Sequence, residues 1–217
     1  MNIEEARINM LKQQVRATDV LDDTILECIE RIPREFFVPK EYLNFAFADF
    51  RVPIEHGQEM MKPLEEGNIL QALAIKPSDK VLEIGTGTGY FTALLANLSQ
   101  HVYSIDIFSE FTQHASAKLK KLNLKNVTLE TGNAARGWAS HGPYDVVIIS
   151  GSLSFLPKQF RETLNNDGRL FAVIGESQAM NGIMLHKVSE KKWHEKYLFE
   201  TNVVRLIDAP HREEFVF

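Results

Sequence analysis

The stretch Val81-Leu82-Glu83-Ile84-Gly85-Thr86-Gly87-Thr88-Gly89-Tyr90 decides the fold. Its first half is an apolar run of strand length, its second half is a G-x-G-x-G loop, and Tyr90 opens a helical pattern that continues to Leu98. A buried strand that turns tightly into a helix is the opening unit of a doubly wound α/β sheet. Glycine suits that turn because the backbone must bend sharply and lie close to a ligand, and a Cβ would obstruct both.

Outward from this unit toward the C-terminus the strand–helix alternation repeats. Lys80 to Ile84 is the first strand, His101 to Asp106 the second, and Ser109 to Leu122 a helix. Val127 to Glu130 and Asp145 to Ser150 are the third and fourth strands, Pro157 to Leu164 a helix, and Gly168 to Ile174 a fifth strand. The run Val146-Val147-Ile148-Ile149 is continuously apolar, as a central strand covered on both faces must be. Ile183 to Val188 and Trp193 to Ile207 then read as two strands joined by the charged turn Ser189-Glu190-Lys191-Lys192, an antiparallel hairpin at one sheet edge. Toward the N-terminus, residues 3–16 and Asp23 to Ile32 have helical spacing and read as cap helices. Phe36 to Pro63, aromatic-rich and interrupted by Pro39, Pro53 and Pro63, reads as irregular structure with short turns, and long ordered loops often carry function. One domain is expected, with residues 1–63 as an N-terminal cap and lid segment and 64–217 as the α/β body. The closing segment from Asp208 has an apolar end, Phe215-Val216-Phe217, that suggests docking on the body or on a partner.

Bulk properties narrow the function classes. With 217 residues, 44% hydrophobic and 24% charged, the chain is an ordinary globular protein long enough for a substantial core. The balance of 24 Lys+Arg against 29 Asp+Glu, a net charge of −5, gives no support for a polyanion-binding surface, and nucleic acid is not an expected partner. No apolar run approaches the ~20 residues that a membrane-crossing helix needs. The start Met1-Asn2-Ile3-Glu4-Glu5 lacks the features of a signal peptide, so a cytoplasmic location is expected. The single cysteine, Cys28, lies among Ile25, Leu26 and Ile29 and reads as a small core residue rather than a reactive thiol. The histidines are scattered and no Cys/His cluster has ligand spacing, so no metal centre is expected.

The loop also says something about its ligand. Tyr90 stands where the dinucleotide fingerprint G-x-G-x-x-G requires its third glycine, which leaves the helix start less adapted to a pyrophosphate. Asp106 ends the second strand at the ~20-residue spacing where a carboxylate accepts hydrogen bonds from ribose hydroxyls. A nucleoside without phosphate fits both. Gly85, Asp106, Gly132-Asn133 and Ser150-Gly151 all fall at carboxyl ends of strands, the rim on which such folds bind ligands, although each taken singly is also an ordinary turn residue.

Across almost the whole chain the sequence resembles the protein-L-isoaspartate (D-aspartate) O-methyltransferase family. The segments that carry the likeness are Ile32-Pro33-Arg34-Glu35-Phe36-Phe37-Val38-Pro39, Ala46-Phe47-Ala48-Asp49 and His56-Gly57-Gln58, which are the more specific ones. Val81 to Tyr90, Val102 to Ile107, Gly132-Asn133 with Gly137-Trp138, and Gly168-Arg169-Leu170 add to them. The resemblance implies a Rossmann-like class I methyltransferase sheet and S-adenosyl-L-methionine as cofactor. It implies a protein or peptide substrate bearing a carboxylate, the free carboxylate of L-isoaspartyl residues in damaged proteins. The cofactor would be held by Glu83, Gly85, Thr86, Gly87, Gly89, Asp106, Ile107 and Asn133, with Asp106 at the ribose and Asn133 near the adenine. The acceptor would be met by His56, Gln58, Met61, Ser150 and Ser152.

Two departures from the family pattern bear on that picture. Asn133 stands where the family usually has aspartate, and its amide oxygen can still accept. After Gly-Gln the family typically reads Thr-Ile-Ser-x-Pro with the serine hydroxyl beside the reacting groups, but here the stretch is Glu59-Met60-Met61-Lys62-Pro63. Met61 cannot donate a hydrogen bond, and Glu59, if turned inward, would repel a carboxylate. Ser150 and Ser152 read either as turn residues or as hydroxyls that compensate from the other wall, and His56 either as a structural hydrogen-bonding residue or as a substrate contact. Transfer of a methyl group to a carboxylate needs no general base, because a carboxyl with a pKa near ~4 is already ionised at neutral pH. No catalytic residue is assigned from the sequence. A diverged member acting on another acceptor, or a non-catalytic module that keeps the cofactor pocket, remains as the alternative.

Overall fold

The computed structural model describes residues 3–176 and 179–211. The cap begins with α1 (Ile3–Asn9), which runs directly into wider π-type turns over Met10–Val15 and buries Met10, Leu11 and Val15. In α2 (Asp23–Arg31) the carboxylate of Asp22 accepts from the backbone N–H groups of Thr24 and Ile25 at 2.9 and 3.4 Å, a side-chain cap for an otherwise unpaired helix start. Its buried stripe is Ile25, Cys28 and Ile29. Burial pushes the Cys28 thiol up to about 12, so it stays protonated and packs as an apolar residue.

The aromatic-rich segment is built of short turns at Arg34–Phe36, Lys40–Phe45 and Glu55–Gly57 and a two-residue antiparallel ribbon, β1 (Val52–Pro53) with β2 (Glu59–Met60). It leads into α3 (Pro63–Leu73), a helix with no counterpart in the sequence reading. Pro63 occupies its first turn, where a missing N–H costs nothing, and Glu65 Oε2 accepts from the Lys62 N–H at 3.2 Å. Its apolar pattern is disguised because Glu65 and Glu66 lie on the buried side with Ile69, Leu70 and Leu73.

The body is β3 (Lys80–Ile84), α4 (Tyr90–Leu98), β4 (His101–Asp106), α5 (Ser109–Lys121), β5 (Val127–Thr131), β6 (Tyr144–Leu153), α6 (Lys158–Glu162), β7 (Leu164–Glu176), β8 (Ala179–Ser189) and β9 (Lys192–Thr201). The strands form one seven-stranded sheet in the order β5-β4-β3-β6-β7-β8-β9, parallel from β5 to β7 and closed by the antiparallel pairs β7–β8 and β8–β9. Along β6, Val146 and Ile148 belong to the core beneath the cap helices, and Val147 and Ile149 to the core on the opposite face with Phe160 and Leu164. This is the two-sided burial that a continuously apolar strand requires.

The hairpin differs from expectation in its bounds. Its first strand begins at Ala179 rather than Ile183, and its second stops at Thr201 rather than Ile207. After Thr201 the chain crosses back to the carboxyl end of β6, where Ser152 N donates to Val204 O and Leu206 N to Ser152 O, each at 3.0 Å. Of the closing segment, residues 212–217 lie outside the described residues, and the apolar Phe215-Val216-Phe217 with them.

Candidate functional site

Strand order reverses at β3, with β4 and β5 on one side and β6 and β7 on the other. Over the carboxyl ends of β3 to β6 lies a cleft of about 990 Å3, a figure that includes the solvent at its open mouth. One wall is the glycine loop with the ends of β4 and β5. The other is the ribbon β1–β2, the start of α3 and the returning chain at Val203, Val204, Leu206 and Ile207.

The loop is shaped by backbone geometry. Gly85 has φ 100°, and a Cβ there would stand 3.2 Å from Ser150 Cβ across the strand reversal. Gly89 has φ 85°, and a Cβ there would meet Ala115 Cβ of α5 at 2.7 Å, closer than two such atoms can sit. Under the loop runs a buried chain of side chains: Thr86 Oγ1 and Ser104 Oγ are 2.6 Å apart, and Ser104 Oγ and Thr92 Oγ1 donate to Glu83 Oε2 at 2.6 and 2.5 Å. Burial pushes the Glu83 carboxyl up to about 8 against the opposing pull of those two hydroxyls. Thr86 lines the cleft, but Glu83 does not; it supports the loop from below.

Asp106 lines the cleft and is nearly buried. Its Oδ2 accepts from Gly87 N at 2.9 Å and its Oδ1 from Phe108 N at 3.0 Å, so the carboxylate pins the loop it faces while keeping lone pairs unspent. Burial holds this carboxyl above its usual range, and the two N–H groups oppose that rise. Ile107 and Phe108 continue the wall. Asn133, at the mouth, accepts from Ala135 N at 3.0 Å and donates to Asp208 Oδ2 at 2.8 Å, which ties the returning chain to the rim.

The opposite wall rests on ion pairs. Arg34, 1% exposed, pairs with Glu66, donates from Nη2 to the carbonyl of Met61 at 2.6 Å, and lies 4.8 Å over the Tyr90 ring. Burial drives the Glu66 carboxyl upward and the Arg34 guanidinium pulls it back. Arg51 pairs with Glu65 and donates to Thr201 Oγ1 at 2.6 Å, and Thr201 Oγ1 donates to Glu65 Oε1 at 2.6 Å. Arg34 thereby holds Met61 by its carbonyl, and Gln58 and the exposed Glu59 line the cleft beside it.

The expected acceptor residues are therefore only partly brought together. Gln58, Met61 and Ser150 line the cleft, and Ser150 Oγ is buried with no hydrogen-bond partner among the described residues. Ser152 is displaced from it: the side chain is 1% exposed and its hydroxyl donates to the Val203 carbonyl at 3.2 Å. His56 stands outside, its backbone at φ 57° and its ring stacked on Phe108 with centroids 3.9 Å apart. Arg51, Glu66, Val203, Val204, Leu206 and Ile207 are lining residues that the sequence reading missed. The available signal was the unusual pair Glu65-Glu66 in an otherwise apolar helix, which calls for buried cationic partners. Among the described residues no group of three or more His, Cys, Asp or Glu is arranged to hold a metal.

The model of the family described as Protein-L-isoaspartate(D-aspartate) O-methyltransferase matches residues 5–211. The chain is 36% identical over 181 residues to the protein-L-isoaspartate O-methyltransferase of Pectobacterium carotovorum subsp. carotovorum (strain PC1), covering 83% of this chain and 87% of that one. It is 31% identical over 209 residues to protein-L-isoaspartate O-methyltransferase 2 of Pelobacter propionicus, covering 96% and 93%. Among solved structures, a putative protein-L-isoaspartate O-methyltransferase from Plasmodium falciparum in complex with S-adenosyl-L-homocysteine superposes with a TM-score of 0.77 at 19% identity, over 92% of this chain and 97% of that one. That likeness speaks for the fold.

Proposed function

The chain belongs to the protein-L-isoaspartate(D-aspartate) O-methyltransferase family, and from that premise we propose that it methylates the free carboxylate of L-isoaspartyl residues in proteins with S-adenosyl-L-methionine as donor. The observation that carries the site assignment is the cleft at the strand reversal, where bare backbone at Gly85 and Gly87 faces the carboxylate of Asp106.

The residues fit that donor. An adenosyl group needs close backbone approach, an acceptor for ribose hydroxyls and an apolar wall for the base, and Gly85 to Gly89, Asp106 and the Ile107–Phe108 wall provide them. Asn133, with its amide oxygen and nitrogen already turned to Ala135 and Asp208, closes the rim beside the base. Cationic side chains that would meet a pyrophosphate are missing from this wall among the described residues, in keeping with a nucleoside that carries no phosphate. When bound, the donor supplies a methyl carbon activated by a sulfonium.

The chain's own residues have a modest chemical task. An ionised carboxylate needs no base, so the side chains serve to align the acceptor oxygen and to keep water out. The ribbon β1–β2 covers the loop, with Ile54 Cδ1 only 3.5 Å from where a Gly87 Cβ would be. Gln58 and Ser150 are the amide- and hydroxyl-bearing acceptor contacts we propose, and Ser150 Oγ stands ready as a donor because nothing among the described residues engages it. We propose a cytoplasmic site of action; no helix among the described residues is long and apolar enough to cross a membrane.

Transfer of a labelled methyl group from S-adenosyl-L-methionine to an isoaspartyl peptide, against the same peptide with normal aspartate, tests the proposal. Incorporation confined to the isoaspartyl form is expected. Equal or absent incorporation into both excludes it. The thioether at position 61 favours a second reading in which the chain acts on another acceptor, and that reading fails if Met61→Ser leaves both rate and acceptor preference unchanged.

A further inference from the structure

Three carboxylates line the cleft, Glu59, Glu66 and Asp106, and among the described residues a single cationic side chain does, Arg51. An anionic acceptor entering such a space meets repulsion unless one group reverses the local sign. Glu66 is engaged by Arg34, and Asp106 is turned to Gly87 N and Phe108 N. Glu59 is exposed at the mouth. Position 61, where the family's hydroxyl is expected, offers only a thioether and a carbonyl already bonded to Arg34.

Arg51 has the donors this wall lacks. Its Nη2 is spent on Glu65 and Thr201 Oγ1, while Nε and Nη1 have no acceptor among the described residues. They are not sealed off: among the described residues Arg34 Nε is buried without a partner, but no nitrogen of Arg51 is. The side chain is nonetheless 13% exposed and fixed at one corner by Glu65, whose own side chain is 10% exposed. A planar guanidinium that lines a cleft, with one nitrogen anchored and its other donors unengaged among the described residues, is preorganised for a carboxylate.

We propose that Arg51 recognises the anionic group of the acceptor, with Glu65 and Thr201 as the residues that position it, and that its guanidinium stands in for the hydroxyl donor that position 61 does not provide. This rests on the carboxylate-methylating reading above. Methylation turns the acceptor carboxylate into a neutral ester, so the guanidinium holds substrate more tightly than product. Because the negative charge falls as the new bond forms, Arg51 favours the bound substrate at least as much as the transition state. Its loss therefore acts on KM and spares kcat.

The test compares the wild-type protein with Arg51→Lys and with the double variant Arg51→Met/Glu65→Gln, which avoids leaving a buried carboxylate unpaired. Two readouts are taken at saturating S-adenosyl-L-methionine or S-adenosyl-L-homocysteine: steady-state methylation of an isoaspartyl peptide, and equilibrium binding of that peptide against its uncharged isoasparaginyl counterpart. KM is expected to rise about 10- to 100-fold in the double variant with kcat within about threefold, the size expected for removing a charged hydrogen bond. The wild-type preference for the charged peptide should disappear, the affinity for S-adenosyl-L-homocysteine should not change, and Arg51→Lys should fall between the two. A folded double variant that keeps both KM and the preference for the charged peptide overturns the role of Arg51 while leaving the reaction intact. Failure of the underlying reading has another signature: the wild-type protein transfers no methyl to the isoaspartyl peptide, and the proposal falls with it.

Discussion

The glycine-loop wall and the ribbon wall of the cleft differ in what fixes them. The first is set by backbone: left-handed φ at Gly85, Gly87 and Gly89, a strand end at Asp106, and N–H groups that grip a carboxylate. The second is set by side chains, with Arg34–Glu66 and Arg51–Glu65 holding a ribbon of two-residue strands against α3. A backbone-built wall tolerates most side-chain changes and fails when a Cβ or a strand end is altered. A wall built on buried ion pairs fails when one partner is removed, because the remaining charge has no water to turn to.

The strongest break of that contrast is on the ribbon wall. Arg34→Ala leaves Glu66 buried and unpaired, and denaturant titration should show a loss of about 3–5 kcal/mol, whereas Arg34→Met/Glu66→Met should lie within about 1 kcal/mol of wild type. On the loop side, Asp106→Ala should weaken S-adenosyl-L-homocysteine binding about 10- to 100-fold by calorimetry and leave the acceptor KM at saturating donor unchanged.

The support beneath the loop gives a pH signature. Burial raises the Glu83 carboxyl to about 8, far above an unfolded glutamate. The folded protein therefore holds a proton that the unfolded chain releases, and stability present below about pH 4.3 is lost progressively as pH rises toward 8. Thermal melts should show Glu83→Gln losing less than wild type between pH 5 and pH 8, by at least about 1.4 kcal/mol, the worth of a single pKa unit. An identical pH dependence in the two proteins would place an ionised carboxylate under the loop. The smallest effect is expected at Ser152: Ser152→Ala removes one bond to the Val203 carbonyl, costs about 1 kcal/mol or less, and should leave kcat/KM within about twofold.

The same contrast explains what the sequence discloses. Parallel strands covered on both faces are apolar throughout, and the turn after β3 has to carry glycine, so the succession of strands and the loop wall are legible, although β6 and β7 run beyond their expected bounds to Tyr144–Leu153 and Leu164–Glu176. Helix α3 is hidden because Glu65 and Glu66 break its apolar stripe, and only their distant partners Arg51 and Arg34 make them acceptable inside. The alternation after Thr201 continues through Val203 and Val204, yet the chain leaves the edge strand there because Ser152 offers it a new partner on β6. Ser150 and Ser152 sit two apart and would share a face in a regular strand. A register shift between Ile148 and Ser152 separates them, leaving one hydroxyl at the cleft and turning the other into the packing against Val203. Nothing local marks Arg51; its place on the wall is a property of the fold.

A crystal structure of the protein with S-adenosyl-L-homocysteine tests the central claim most directly. The account predicts the adenosyl group lying along Gly85 to Gly89, with the ribose hydroxyls on Asp106 and the sulfur facing the space between Ser150 and the wall that holds Arg51 and Met61. A ligand bound elsewhere, or a cleft closed by its own side chains at saturating ligand, would contradict it.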